Sequence, residues 1–312
     1  MSFFAVFLAL LLEQARPLDA QNWVHAGLRG WLKWVRFSFD AGQTHHGALV
    51  WGMAVGLPVL LVAVVHMLLW TYSVVLTFLW TVVVLYFTLG FRQFSHHFTQ
   101  VRGALERGDE PAARQALADW QGMAVEEMPT SGLVRHAIDC SALAVHKHVL
   151  GVLVCFVALW VLGLGPAGAV LFRLSDYLAG ICRPSQSGAV ALVGARQSSE
   201  SVFNVANAAW RLINHVPARA TALAFAVVGN FEEAVASWRQ QASAFADQND
   251  GVVLSATAGA LNLKVGPGLS EADSLFKQPQ LAHLTSLVGL VWRSVVLWMI
   301  FLALVTLAHS VG

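Results

Sequence analysis

The alternation of long apolar runs with short polar stretches dominates this chain. Crossing the hydrocarbon layer of a bilayer takes about 20 apolar residues as a helix. Four stretches meet that length: Leu49 to Trp70, Tyr72 to Gly90, Val149 to Phe172 and Leu287 to Ala308. All four lack Asp, Glu and Lys, and only His66 and Arg293 intrude, positions expected to face other helices or to reach for the interface. Only Thr71 and its neighbours separate the first two runs, which predicts a tight helical hairpin. Gly52 and Gly56 form a GxxxG that would let another helix approach closely. Pro58 is expected to kink the first span, and Gly163, Gly165 and Pro166 to bend or break the third. A shorter apolar stretch, Ala218 to Gly229, reads as an interfacial or re-entrant helix.

Between the spans the polar segments carry helical periodicity. Phe91, Phe94, Phe98, Val101 and Leu105 recur near every 3.6 residues, Gly108 stops that helix, and Asp109 caps a second one running through Trp120. This predicts an αα-hairpin lying on the membrane. Asn230 is placed to cap a helix over Phe231 to Ala246, with Glu232 and Glu233 in its first turn. No strand-and-hairpin pattern and no internal repeat stands out. The fold class expected is all-α: a polytopic membrane protein of about four transmembrane helices with ordered helical loops. Its expected segments are an interfacial N-terminus over 1–48, a transmembrane hairpin over 49–90, a loop hairpin over 91–148, a third span over 149–172, a long polar and amphipathic loop over 173–285, and a C-terminal span over 286–312.

Composition supports the same class. Hydrophobic residues make up 57% of the chain and charged residues 12%, where a soluble domain carries roughly 25% charged. A net charge of +1 argues against a nucleic-acid partner. The expected surroundings are the lipid bilayer, with other membrane proteins or further copies of the chain as possible partners. Met1 to Leu12 are apolar, but no basic segment precedes them and Glu13 follows at once, so they read as a membrane or interfacial segment rather than a cleaved signal peptide. Lys33, Arg36, Arg92, Arg102, Arg107, Arg135 and Lys147 flank one side of the spans, and Arg173, Arg183 and Lys277 the other. That bias places the N-terminus and residues 91–148 in the cytoplasm and 173–285 in the periplasm.

The chemistry-bearing residues are sparse. Cys140, Cys155 and Cys182 are isolated, with no CxxC and no Cys/His zinc spacing, and no metal site is expected. The pairs His45–His46, His96–His97 and His146/His148 diverge around a helix and cannot chelate from one face. His136, Asp139 and His146 do share a face, as either an anion or metal site or an interfacial polar stripe. There is no P-loop, no GxGxxG opening a helix after a strand, no HExxH and no GxSxG. What remains is a set of small-residue islands: Gly165 to Leu174, Asn214 to Ala222, Asn249 to Gly251, and Ala256 to Pro267. Glycines beside Arg and Asn would let backbone amides and a guanidinium meet an anion, or serve helix packing.

These islands resemble the CobD/CbiB family of bacterial membrane proteins and the related AmpE branch. The resemblance rests on the Gly-Pro-x-Gly-Ala run leading to Arg173, on Asn214 followed by Pro217-Ala218-Arg219 and Thr221-Ala222, and on Ala256 to Gly266. For the cobalamin branch it implies an adenosylcobinamide-phosphate synthase, joining the corrin carboxylate of adenosylcobyric acid to an aminopropanol compound. ATP is implied as activator of that carboxylate, with a divalent metal. The candidate anion and amide binders carried over are Arg173, Asp176, Asn214, Arg219, Asn249 and Lys264. The acidic, asparagine-rich stretch of that branch is replaced here by His146-Lys147-His148, and its Asn-Thr-Leu-Asp stretch by Ser175-Asp176-Tyr177-Leu178. These departures, with the helix from Asn230, are similar to the AmpE branch. The function expected first is therefore an inner-membrane regulatory modulator of the envelope or β-lactamase response, and second the cobalamin enzyme. A small transporter-like bundle is the weakest of the three.

Overall fold

The computed structural model describes residues 2–16, 23–40, 46–121, 129–182, 199–263 and 279–311. Every regular element among them is helical: α1 (Ser2–Ala15), α2 (Trp23–Phe39), α3 (His46–Trp51), a π turn (Gly52–Gly56), α4 (Leu57–Tyr72), α5 (Val74–Thr88), α6 (Phe91–Glu106), α7 (Glu110–Gln121), α8 (Thr130–Val145), a second π turn (His146–Leu150), α9 (Gly151–Val161), α10 (Ala167–Cys182), α11 (Glu200–Val228), α12 (Phe231–Gln241), α13 (Gln248–Ala260) and α14 (Leu281–Val311). The protein is thus an all-α, membrane-type helical protein. Expectations on His45, Arg183, Lys264 and Lys277 lie outside the described residues.

Among the described residues, three helices are long and apolar enough to cross a membrane: His46–Tyr72, Thr130–Val161 and Leu281–Ala308. The second expected span is a shorter apolar helix: α5 has 15 residues and reaches about 22 Å, against a hydrocarbon layer of about 30 Å. The third is displaced. Its helix begins at Thr130 and ends at Val161, so Val149 to Phe172 falls across two helices. The break lies at the glycines and proline expected to cause it. Gly163 (φ +79°) donates to Trp160, Leu164 donates to Leu159, and Pro166 precedes α10. This is a Schellman closure, in which a left-handed glycine satisfies the last carbonyls of the helix.

The surface also fits a lipid environment. Leu60, Leu61 and Leu68 on α4, Val75 and Leu79 on α5, and Leu304 on α14 are exposed, while Thr77, Thr81, Ser141 and Ser294 are buried. The buried hydroxyls donate to carbonyls four residues back, as in Thr81 to Thr77 (2.8 Å) and Ser294 to Leu290 (2.9 Å). They need no other partner to tolerate a dry environment.

The chain divides into two compact units, Met1–Gly90 with Val152–His215, and Phe91–Gly151 with Val216–Gly312. In the first unit α1 packs along α5, α4 pairs with α5, and α10 packs on both. The expected GxxxG contact is absent at its glycines: a Cβ at Gly52 or Gly56 would meet nothing within 4 Å. The π turn spans these glycines instead, directly before Pro58, whose missing N–H leaves the carbonyl of Ala54 without its usual helical donor. Close approach occurs at Gly168, where an added Cβ would run into the Cys155 carbonyl.

In the second unit α6 and α7 form the expected hairpin. Gly108 (φ +72°) turns the chain, and Asp109 Oδ1 accepts from the Ala112 N–H at 3.0 Å. The stretch Ala218 to Gly229 is no separate membrane element. It is the C-terminal part of α11, a 29-residue helix that runs through Pro217. α12 and α13 pack as a close antiparallel pair, and Gly259 sits against the Glu233 backbone. Asn230 caps α12, accepting from Glu233 N–H (3.3 Å), and its own amide donates to Asn262 (2.8 Å). Asn230→Ala should cost about 1 kcal/mol, read as a roughly fivefold rise in hydrogen exchange of the first α12 amides.

Candidate functional site

In the second unit, three elements bring polar side chains together inside apolar surroundings. The first is the π turn at His146, which interrupts the long helix Thr130–Val161. A π turn carries one extra residue, which shifts the facing of side chains after it, and such turns recur at functional sites. The second is α11 just beyond Pro217. The third is the first turn of α13, where Asp247 Oδ1 accepts from the amides of Asn249 (2.9 Å) and Asp250 (3.2 Å). That cap orients both following side chains.

Three pairs link these elements. His146 Nδ1 lies 2.9 Å from Thr221 Oγ1, and both residues are fully buried. Lys147 Nζ lies 3.6 Å from Asp250 Oδ2, with both side chains largely shielded. Arg219 Nη1 donates to Asn249 Oδ1 at 3.2 Å. Thr221 and Arg219 come from α11, Asn249 and Asp250 from α13, and His146 and Lys147 from the π turn. Two permanent cations, Lys147 and Arg219, and the carboxylates of Asp247 and Asp250 meet on these elements. Low local dielectric strengthens each of these interactions, and a guanidinium beside an amide and an ammonium suits a carboxylate or phosphate.

The described sequence-predicted residues divide between the two units. Arg219 and Asn249 meet. Arg173 and Asp176 lie on α10 in the first unit, where Arg173 donates to Tyr177 OH (3.1 Å), stacks over its ring (4.9 Å) and stands 3.9 Å from Asp176. Asn214 is fully buried and also belongs to the first unit. Lys264 lies outside the described residues. Each residue of the expected polar face has a partner of its own. His136 pairs with Gln121 (3.1 Å), Asp139 with Arg135 (3.9 Å), and His146 with Thr221. The glycines of the Ala256 to Pro267 island serve packing as far as the structure describes them, since Gly259 lies within α13 against α12. Lys147, Thr221 and Asp250 join the cluster although their spacing alone did not single them out. The available signals were a lysine inside an apolar run and an Asp-x-x-Asp at a helix start.

The donor set fits an anion better than a metal–nucleotide. Among the described residues, no three His, Cys, Asp or Glu side chains are grouped to hold a metal ion. The one carboxylate bridging the cluster, Asp250, already faces Lys147. ATP with a divalent metal, implied by the family resemblance, therefore finds no matching ligand set in these residues.

Comparison with known proteins follows the same lines. The chain is 30% identical over 328 residues to the cobalamin biosynthesis protein CobD of Stutzerimonas stutzeri (strain A1501), covering 96% of each chain. It is 32% identical over 189 residues to the cobalamin biosynthesis protein CobD of Chromobacterium violaceum, covering 60% of this chain and 55% of that one. No solved structure matches. These relatives overturn the AmpE-like regulatory expectation: the histidine-rich replacement before α9 that suggested it lies within a chain-long similarity to proteins named for cobalamin biosynthesis. The description CobD/Cbib protein matches residues 3–282, and the chain belongs to the CobD/CbiB family.

Proposed function

We propose that this protein works in cobalamin biosynthesis, at the step that joins the carboxylate of adenosylcobyric acid to an aminopropanol group, from a multi-pass position in the bacterial inner membrane. The geometric observation that carries the reading is the shielded cluster that brings Arg219, Lys147 and Asn249 together on the π turn, α11 and α13. In it Arg219 and Lys147 hold the carboxylate, Asn249 fixes its orientation, and Asp250 keeps the Lys147 ammonium in place. The His146–Thr221 bond locks the π turn to α11, so that the cations are positioned before the substrate arrives and little ordering remains to be done on binding. The chain-long relative named for cobalamin biosynthesis supports the same reading.

The test is a deletion strain whose growth depends on corrinoid supplied either as adenosylcobyric acid or as the amide product. Deletion should abolish growth on the acid and leave growth on the product intact. Growth on both supplements at the parental rate would remove the enzyme from this step.

A further inference from the structure

A groove lies elsewhere in the second unit, lined by residues other than those of the buried cluster. It is a groove of about 310 Å³ between α6 and the first turns of α14, lined by Ser95, Phe98, Thr99, Arg102, Gly103 and Glu106 on one side and Val288, Val291 and Trp292 on the other. We propose that it holds the headgroup and first acyl carbons of an aminophospholipid, one carrying both a phosphate and a primary ammonium.

Depth in the membrane is the first argument. Leu281–Ala308 is long and apolar enough to cross. After His283, Thr285 and Ser286 the groove residues Val288, Val291 and Trp292 occupy the next two turns, and Arg293 and Ser294 follow before the continuous apolar run Val295 to Val305. Arg293 is exposed on this same stretch and its Nε reaches back to the Gly289 carbonyl (3.1 Å), toward the N-terminal end of the helix. An exposed arginine is costly in the hydrocarbon centre and snorkels to the headgroups. Trp292 is 43% exposed, and exposed tryptophan settles at the same depth. The groove therefore opens at headgroup level.

Charge complementarity is the second argument. On successive turns of α6, Arg102 and Glu106 form an ion pair at 2.7 Å with side chains 36% and 52% exposed. Such a pair holds weakly and exchanges partners readily. A ligand with adjacent phosphate and ammonium replaces this one contact by two, guanidinium to phosphate and carboxylate to ammonium, with the Ser95 and Thr99 hydroxyls near the phosphate. The apolar wall of Val288, Val291 and Phe98 receives the first methylenes. Gly103 keeps the groove open: a Cβ there would meet only Arg107 Nη1, at 3.4 Å. Filling the groove from Gly103 therefore disturbs little of the protein.

The experiment is native mass spectrometry of the full chain released from detergent micelles, titrated with phosphatidylethanolamine, phosphatidylcholine and phosphatidylglycerol. One phosphatidylethanolamine should be retained per chain, at least tenfold more tightly than the other two lipids. Phosphatidylcholine has no N–H to give Glu106, and phosphatidylglycerol has no cation. Gly103→Leu, which keeps both charges, and the Arg102→Gln/Glu106→Gln double variant should each lose that retention at least tenfold. Equal retention of all three lipids, or undiminished retention in Gly103→Leu, overturns the proposal. So does displacement of the lipid by soluble glycerophosphoethanolamine at equal concentration, because the site would then belong to a free phosphoamine.

Discussion

Arg219→Ala is expected to abolish growth that depends on conversion of adenosylcobyric acid, while the protein continues to accumulate in the membrane. The guanidinium is partly buried and donates to Asn249, whose side chain is itself 5% exposed. Truncation removes one of the two cations in the cluster, and with it the guanidinium donors that would meet a carboxylate beside Asn249. A hydrogen bond to a charged group contributes about 1.5 to 3 kcal/mol, and tenfold in affinity corresponds to about 1.4 kcal/mol. The loss in carboxylate binding is therefore about tenfold to a hundredfold. Arg219→Lys should recover part of it, since charge is kept but the planar fork that reaches Asn249 and substrate together is not. The check is growth of the deletion strain carrying each variant, with membrane abundance followed by immunoblot. Parental growth with Arg219→Ala would take the cluster out of the reaction.

The second large effect is structural. Gly259→Leu should prevent α12 and α13 from packing and unfold the pair. A Cβ at position 259 would overlap the Glu233 carbonyl and the Ala234 Cα, all of them backbone atoms that cannot rotate away. The nearby glycine contacts leave no slack, because Gly251 meets the Ala242 carbonyl and Gly229 meets Ala260. Overpacking a filled core typically costs about 1 to 3 kcal/mol and more where backbone must move, so the variant should show a lowered unfolding midpoint in detergent and proteolytic cleavage between Asn230 and Asn262. Gly180→Leu is the matched control, since a Cβ at that position on α10 would meet nothing within 4 Å, and it should leave the unfolding midpoint close to that of the parent chain.

Local chemistry was readable in the sequence wherever a feature involves only neighbours along the chain. The cap at Asn230, the αα turn at Gly108 and the break at Gly163 to Pro166 are of this kind. Each depends on φ restrictions or on hydrogen bonds within one turn. Helix ends inside apolar sequence were less legible. Composition does not separate a helix starting at Thr130 from one starting at Val149, because polar residues between them, among them His136, Asp139, His146 and Lys147, find partners in the folded protein. The GxxxG at Gly52 and Gly56 failed for a related reason: small residues permit close approach but do not supply the partner helix.

For this protein, the sequence alone determined an all-helical, lipid-compatible chain of the CobD/CbiB kind, because hydropathy, helix punctuation and short islands of side-chain pattern are properties of consecutive residues. Only the tertiary structure decided which polar residues share a site. It assigned Arg173 and Arg219 to different compact units and joined Lys147, 103 positions away in the chain, to Asp250. The physical reason is that a buried charge must be matched by a partner across the fold, and which helix supplies that partner depends on packing at glycines and on the π turn rather than on spacing along the chain.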